Sequence, residues 1–213
     1  MTCKVHALPE IGHGRRQFLG GVAGGGALLA LPGLARSAQT GDSMGELYIN
    51  GFRAPAGAKI QPGDSVLTGP DSSITFAVGP DAFRLRQLTS LKIDGRGFIA
   101  GLRVVTGGLL GVFGKGGPRI LRTATVTAGI RGTGIYVEAS SIMTYFCTCY
   151  GTVDLECVTY KSKKEVRSSN HQANFVYGKV DIGRSIVDAP VVNHTNAELM
   201  ELERMVGRVS PLG

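Results

Sequence analysis

Three cysteines fall within one short stretch, Cys147, Cys149 and Cys157. Thiols this close can bond to each other, hold a soft metal ion or act as a redox pair. The stretch runs from Met143 to Cys157 and reads as a hairpin with Tyr150-Gly151 as a two-residue turn. In that register Cys149 faces Thr152, Cys147 faces Asp154, Phe146 faces Leu155 and Thr144 faces Cys157. Side chains two apart share a strand face. Cys147 and Cys149 therefore project together, with Tyr145, Thr152 and Asp154. Cys157 points the other way, into a core side with Ile142, Phe146, Val153 and Leu155. A Cys147–Cys149 disulfide is awkward in a regular strand. Two residues rise ~6.7 Å, near the upper end of the separations a disulfide spans. Such a bond would be strained and easily reduced, hence a redox switch.

A metal ion would need further ligands, and His171 or His194 can supply them. The candidate set is Cys147, Cys149 and His171. The spacing shows no paired Cys-x2-Cys or His-x3-His units of the familiar zinc kind, and the Cys-x-x-Cys-His haem signal is absent. Three readings stay open: small structural residues, a redox or intermolecular thiol pair, and a metal site. Both histidines sit in polar stretches, which also suits exposed loops. The residues name no cofactor.

Nothing else in the chain carries catalytic chemistry. Asp64, Asp71, Asp81 and Asp94 read as turn residues, not as paired acids. The glycine run around Lys115 lacks the phosphate-loop spacing, and no Ser or Thr follows that lysine. No Ser-His-Asp arrangement has supporting context. The chain reads as a non-enzyme.

These residues need elements to position them. From Glu46 to Tyr160, short apolar–polar alternations are broken by glycine. Ser73–Val78 alternates Ile74, Phe76 and Val78. Phe83-Arg84-Leu85, Leu91-Lys92-Ile93, Arg119-Ile120-Leu121 and Ile135-Tyr136-Val137 continue the period of two. Turn signals recur between them, at Pro62-Gly63-Asp64, Gly69-Pro70-Asp71, Gly79-Pro80-Asp81 and Gly107-Gly108. This spacing predicts a mainly β fold, a short-strand sandwich or roll. One element differs. Thr195-Asn196-Ala197-Glu198 is a capping box, with Leu199, Leu202 and Val206 at helical spacing and Gly207 placed to stop the run. It predicts one amphipathic helix, about 196–207, at the C-terminal end.

The first residues read as an address. Arg15-Arg16-Gln17-Phe18-Leu19 precedes a weakly apolar, glycine-rich run, then Ala35-Arg36-Ser37. This is the layout of an export signal of the twin-arginine type over 1–38, with Arg15, Arg16, Phe18 and Leu19 at its centre. The apolar run is short of the ~20 residues that span a bilayer. The expected location is the periplasm or cell envelope, with membrane contact only through the signal if it stays uncleaved. Lys4, Arg15, Arg16 and Arg36 against Glu10 place +3 of the net +7 in this leader, leaving +4. The one dense basic run, Lys161-Ser162-Lys163-Lys164 with Arg167, reads as a solvated loop. It has no interleaved aromatics to stack bases, so no nucleic-acid partner is expected.

The β region resembles the FecR domain family. The matching stretches are Gly63-Asp64-Ser65-Val66-Leu67-Thr68-Gly69, the Phe76-to-Leu91 strand pair, and Val104-Val105-Thr106-Gly107-Gly108-Leu109. The last runs from Arg122-Thr123 through Gly129-Ile130-Arg131-Gly132-Thr133-Gly134 to Thr152-Val153-Asp154-Leu155. The resemblance covers 46–160 and leaves 161–213 as an extension that carries the helix. It implies an all-β periplasmic domain that works by binding or signalling. In iron-uptake regulators that domain relays the state of an outer-membrane transporter to a cytoplasmic sigma factor. Those regulators carry an anti-sigma segment and a membrane helix where this chain has its leader. The domain and compartment carry over, and the expected partner is another cell-envelope protein.

Overall fold

The computed structural model describes residues 39–94, 101–117, 119–179 and 184–212, with the backbone alone at 39–44. The export motif at Arg15, Arg16, Phe18 and Leu19 lies outside the described residues. The strands are β1 (Gln39–Met44), β2 (Leu47–Ile49), β3 (Phe52–Arg53), β4 (Ser65–Thr68), β5 (Ser73–Val78), β6 (Asp81–Leu85) and β7 (Ser90–Ile93). They continue as β8 (Leu102–Val112), β9 (Arg119–Arg122), β10 (Val126–Ala139), β11 (Met143–Cys157), β12 (Lys163–Ser168), β13 (Gln172–Tyr177) and β14 (Ile186–Ala189). One helix follows, α1 (Asn196–Met205).

All these strands belong to one sheet, with the main path β14-β13-β11-β10-β9-β8-β7-β4-β2-β3. The fold is mainly β, with a single C-terminal helix, as the periodicity predicts. Ile74, Phe76, Phe83, Leu85, Leu91 and Ile93 are all buried. With Leu109, Leu121, Ile135, Val137, Phe146 and Val153 they form the main apolar core. A second cluster lies on the other side of the sheet: Ala82, Leu110, Val112, Tyr136, Tyr145, Cys147, Cys149 and Tyr150, covered by Leu199 and Leu202. Helix α1 starts at the predicted capping box. Glu198 N–H donates to the Thr195 hydroxyl, and the Glu198 carboxylate accepts from the Thr195 N–H.

Three local readings change. Tyr150-Gly151 is not a hairpin turn, because β11 runs through it without a break. β11 and β10 pair along almost their whole length, with the register slipping between Arg131 and Ile135. Cys149 and Tyr150 both take the outer face in a bulge next to Gly151, whose φ is +92°, and this shifts the alternation by one residue. Thus Phe146 and Val153 both reach the main core although their spacing is odd. Cys147 and Cys149 stay on the opposite face. Ile142, expected in the core, is exposed just before β11. Gly107-Gly108 likewise lies inside β8 rather than in a turn.

The basic run is a loop only at Lys161 and Ser162. Lys163–Ser168 forms β12, paired with the second half of β11. Its charges are matched along the sheet: Lys163 with Glu156, Lys164 with Asp188, Arg167 with Glu165. Asp81 is also more than a turn residue. It is buried and accepts from Arg119 and from the Gly114 N–H. Asp64 does hold its turn, accepting from the Gln61 N–H at 2.7 Å.

The bulge gives a direct test. A Cβ at Gly151 would meet the Thr133 hydroxyl at 2.7 Å and the Gly132 carbonyl at 2.9 Å. Gly57 shares the left-handed backbone, with φ +75°, but has open space around it. Gly151→Ala should therefore lower unfolding free energy in urea by ~1–3 kcal/mol more than Gly57→Ala. Equal losses would mean that backbone strain alone sets the cost.

Candidate metal centre

The second cluster contains the four groups of chemical interest. β11 lies between β10 and β13 at this point, so Cys147 pairs with Tyr136 on one side and Ala173 on the other. That pins the strand on both edges. The two sulfurs share the outer face, 4.0 Å apart. No disulfide joins any of Cys147, Cys149 and Cys157. Cys157 faces the main core, with its sulfur 3.5 Å from the Tyr177 carbonyl.

His171 occupies the tight turn between β12 and β13, with φ +46°. Its N–H donates to the Cys149 carbonyl at 2.9 Å, so the turn is fastened beside the cysteine. His194 comes from the segment between β14 and α1. Tyr145 fixes that segment: its hydroxyl donates to the Pro190 carbonyl and accepts from the Val192 N–H, both at 3.1 Å. The Tyr136 ring stacks on the His194 imidazole with centroids 4.7 Å apart.

The outer hydrogen bonds decide what each histidine offers inward. His194 Nδ1 lies 2.7 Å from the Val192 carbonyl. A carbonyl only accepts, so Nδ1 carries the proton and Nε2 presents a lone pair. His171 Nε2 lies 2.6 Å from Asn196 Oδ1, so it donates and leaves a lone pair on Nδ1. These two lone-pair nitrogens face each other at 3.0 Å. Two acceptors at that distance repel unless a cation sits between them.

The sulfurs complete the set. Cys147 Sγ is 3.7 Å from His171 Nδ1, and Cys149 Sγ is 3.4 Å from His194 Nε2. All four ligand atoms lie within 4.8 Å of one another. A tetrahedral ion with bonds of ~2.3 Å to sulfur and ~2.05 Å to nitrogen has edges of ~3.8 Å (S–S), ~3.5 Å (S–N) and ~3.3 Å (N–N). Four of the six edges here are 4.0 Å (S–S), 3.4 and 3.7 Å (S–N) and 3.0 Å (N–N), and the two remaining S–N edges lie within 4.8 Å. Two thiolates and two neutral imidazoles around a divalent ion leave no net charge, which makes burial of the group tolerable. The sulfur and nitrogen pairs are too close together to sit on the two separate irons of a binuclear cluster.

Among protein groups alone, the two thiols differ. Cys147 is drawn down, chiefly by the hydrogen bond from Cys149, against the effect of burial. Cys149 is pushed up by burial and by the neighbouring Cys147 sulfur. Cys147 is thus the first thiolate of the pair, ready to meet a cation. Both cysteines are 0% exposed, so a substrate has no approach to that thiolate. The arrangement suits holding an ion, not attacking a carbonyl.

Cys147, Cys149 and His171, the candidates from the sequence, come together. His194 joins them as the fourth member, buried rather than in an exposed loop. Asn196, the Val192 carbonyl and Tyr136 position the histidines, and the sequence reading singled out none of them for that role. One signal was present: His194 directly precedes the capping box, where the chain direction is fixed.

No family model matches the chain, and no curated protein matches it. Two crystal structures from Parabacteroides distasonis ATCC 8503, each provisionally described as an anti-sigma factor, are similar at 14% identity. One has a TM-score of 0.48 and shares 59% of this chain with 58% of its own. The other has a TM-score of 0.37 and shares 67% of this chain with 59% of its own. The chain thus matches less than two thirds of either neighbour's length.

The geometry predicts the spectrum of a cobalt(II) complex. One equivalent of cobalt should give the intense visible bands of a tetrahedral ion together with thiolate-to-cobalt charge transfer. Cys157→Ser should leave both unchanged, whereas Cys147→Ser should weaken the charge-transfer band by about half. A pale octahedral spectrum would contradict the assigned ligand set.

Proposed function

We propose that this protein is a non-enzymatic module of the cell envelope that carries one divalent metal ion of the zinc class. Cys147, Cys149, His171 and His194 are its ligands, and the surrounding FecR-like sheet binds another envelope protein. One observation carries the metal reading: two imidazole nitrogens at 3.0 Å, each with a cysteine sulfur 3.4 to 3.7 Å away, and all four ligand atoms within 4.8 Å of one another. Soft thiolate and imidazole ligands in a tetrahedral set favour zinc over magnesium or calcium. Four protein ligands and a buried site leave no open position for water, which is the pattern of a structural or regulatory ion rather than a catalytic one.

Export rests on the leader alone, through Arg15, Arg16, Phe18 and Leu19. A twin-arginine route carries folded protein, which suits a centre assembled from three segments distant in sequence. Partner binding rests on the FecR resemblance of residues 46–160.

Metal analysis of protein purified without chelator, with thiols counted before and after reduction, tests the central part. The expected result is about one zinc per chain, lost in Cys147→Ser and retained in Cys157→Ser. Protein without metal, with two thiols that appear only after reduction, would replace this reading with a Cys147–Cys149 redox pair. Export is tested separately: changing Arg15 and Arg16 to Lys should hold the precursor in the cytoplasm, and normal export of that variant would remove the twin-arginine reading.

A further inference from the structure

Three of the four ligands belong to the sheet. Cys147 and Cys149 sit in the doubly paired part of β11, and His171 is fastened to Cys149 by its own N–H. The fourth does not. His194 lies on the segment that leads into α1, one residue before the helix cap Thr195. The connection also runs the other way. Asn196, the first residue of α1, accepts the outer hydrogen bond of His171. The start of the helix therefore holds one histidine in its ligating form, while the other histidine holds the start of the helix.

The helix has little independent stability. Ten residues are too few to persist alone in water. It is kept in place by Leu199 and Leu202, fully buried on the outer face of the sheet. Arg84 and Arg86 add ion pairs to Glu198, and Arg84 adds one to Glu201. Behind it, Tyr150 donates to the buried carboxylate of Glu203, which also pairs with Arg208. None of these ion pairs and hydrogen bonds involves the four ligands.

From this placement, and resting on the metal reading above, we propose that ion binding and docking of α1 form one coupled equilibrium, with Asn196 and His194 as its joint. An ion that binds the docked form more tightly must hold the helix down. By the same amount, docking of the helix must tighten the ion, because coupling between two sites is reciprocal. The centre is thus a clasp for the C-terminal segment. Loss of the ion loosens residues 190–212 from the sheet, and any partner that lifts α1 lowers zinc affinity.

The test uses the full chain, stripped of metal and then reloaded with zinc. Zinc affinity is measured by competition with a chromophoric chelator, and hydrogen exchange is followed across 190–212. Zinc should slow exchange in that segment by at least tenfold while leaving β4 and β7 unchanged. Leu202→Ala removes no donor group, yet should weaken zinc about tenfold, within the usual range of coupling between sites. Asn196→Ala should weaken it ~10- to 100-fold, as loss of an outer hydrogen bond to a ligating histidine does. Asn196→Asp keeps an acceptor for His171 and should restore most of the affinity. Val209→Ala, at a residue exposed on the far side of the helix end, should change nothing.

If zinc binds at one per chain but leaves exchange in 190–212 unaltered, the clasp is wrong and the metal centre stands. If Leu202→Ala binds zinc as tightly as the unaltered chain, the coupling is likewise refuted. If no zinc binds at all, the metal reading fails and takes the clasp with it. The exchange comparison needs no variant, so a Leu202→Ala chain that failed to fold would not blunt the test.

Discussion

Two imidazole nitrogens are turned toward each other at 3.0 Å with no proton assigned to either. That repulsive contact is the constraint from which the rest of the site follows. It exists because each ring spends its only proton outward, His194 on the Val192 carbonyl and His171 on Asn196. A neutral imidazole has one N–H, so the inward nitrogens can only accept. A proton or a metal ion between them removes the repulsion, and two sulfurs stand where they would neutralise a divalent ion.

The fold supplies this constraint through a bulge. A regular β11 would carry one alternation from Met143 to Cys157, and either Phe146 or Val153 would be forced out of the core. The bulge at Cys149–Tyr150 absorbs one residue, so both halves of the strand face the main core correctly while Cys147 and Cys149 emerge on the other side. Tyr150 sits against Gly134 across the strands, where a larger residue would strike its ring. The glycines that appeared at first to mark turns here serve continuity of a long, paired strand. Around them the outer face is closed by Tyr136, Tyr145 and the helix, which keeps water away from the sulfurs.

Much of this was legible in the sequence. The period of two placed β5, β6 and β7, because alternate apolar residues of each strand all face the main core. The capping box placed α1 at its first residue, since caps are local chemistry. Even the shared face of Cys147 and Cys149 follows from their spacing. The hairpin at Tyr150-Gly151 did not form, because glycine signals a left-handed backbone without saying whether the chain reverses or bulges; pairing with β10 made that choice. The run at Lys161–Lys164 looked like a loop because its charges were read without their partners. Glu156, Asp188 and Glu165 let it serve as strand β12 instead. His194 was the hardest residue to assign. It lies 45 residues from Cys149, and only the path of the chain over the sheet brings the two together.

X-ray absorption at the edge of the bound ion tests the central claim most directly, since it reads the ligands without reference to the fold. The account predicts two sulfur scatterers at ~2.3 Å and two imidazole nitrogens at ~2.05 Å. A shell of oxygen and nitrogen alone, or a zinc-loaded sample with no sulfur around the metal, would contradict it.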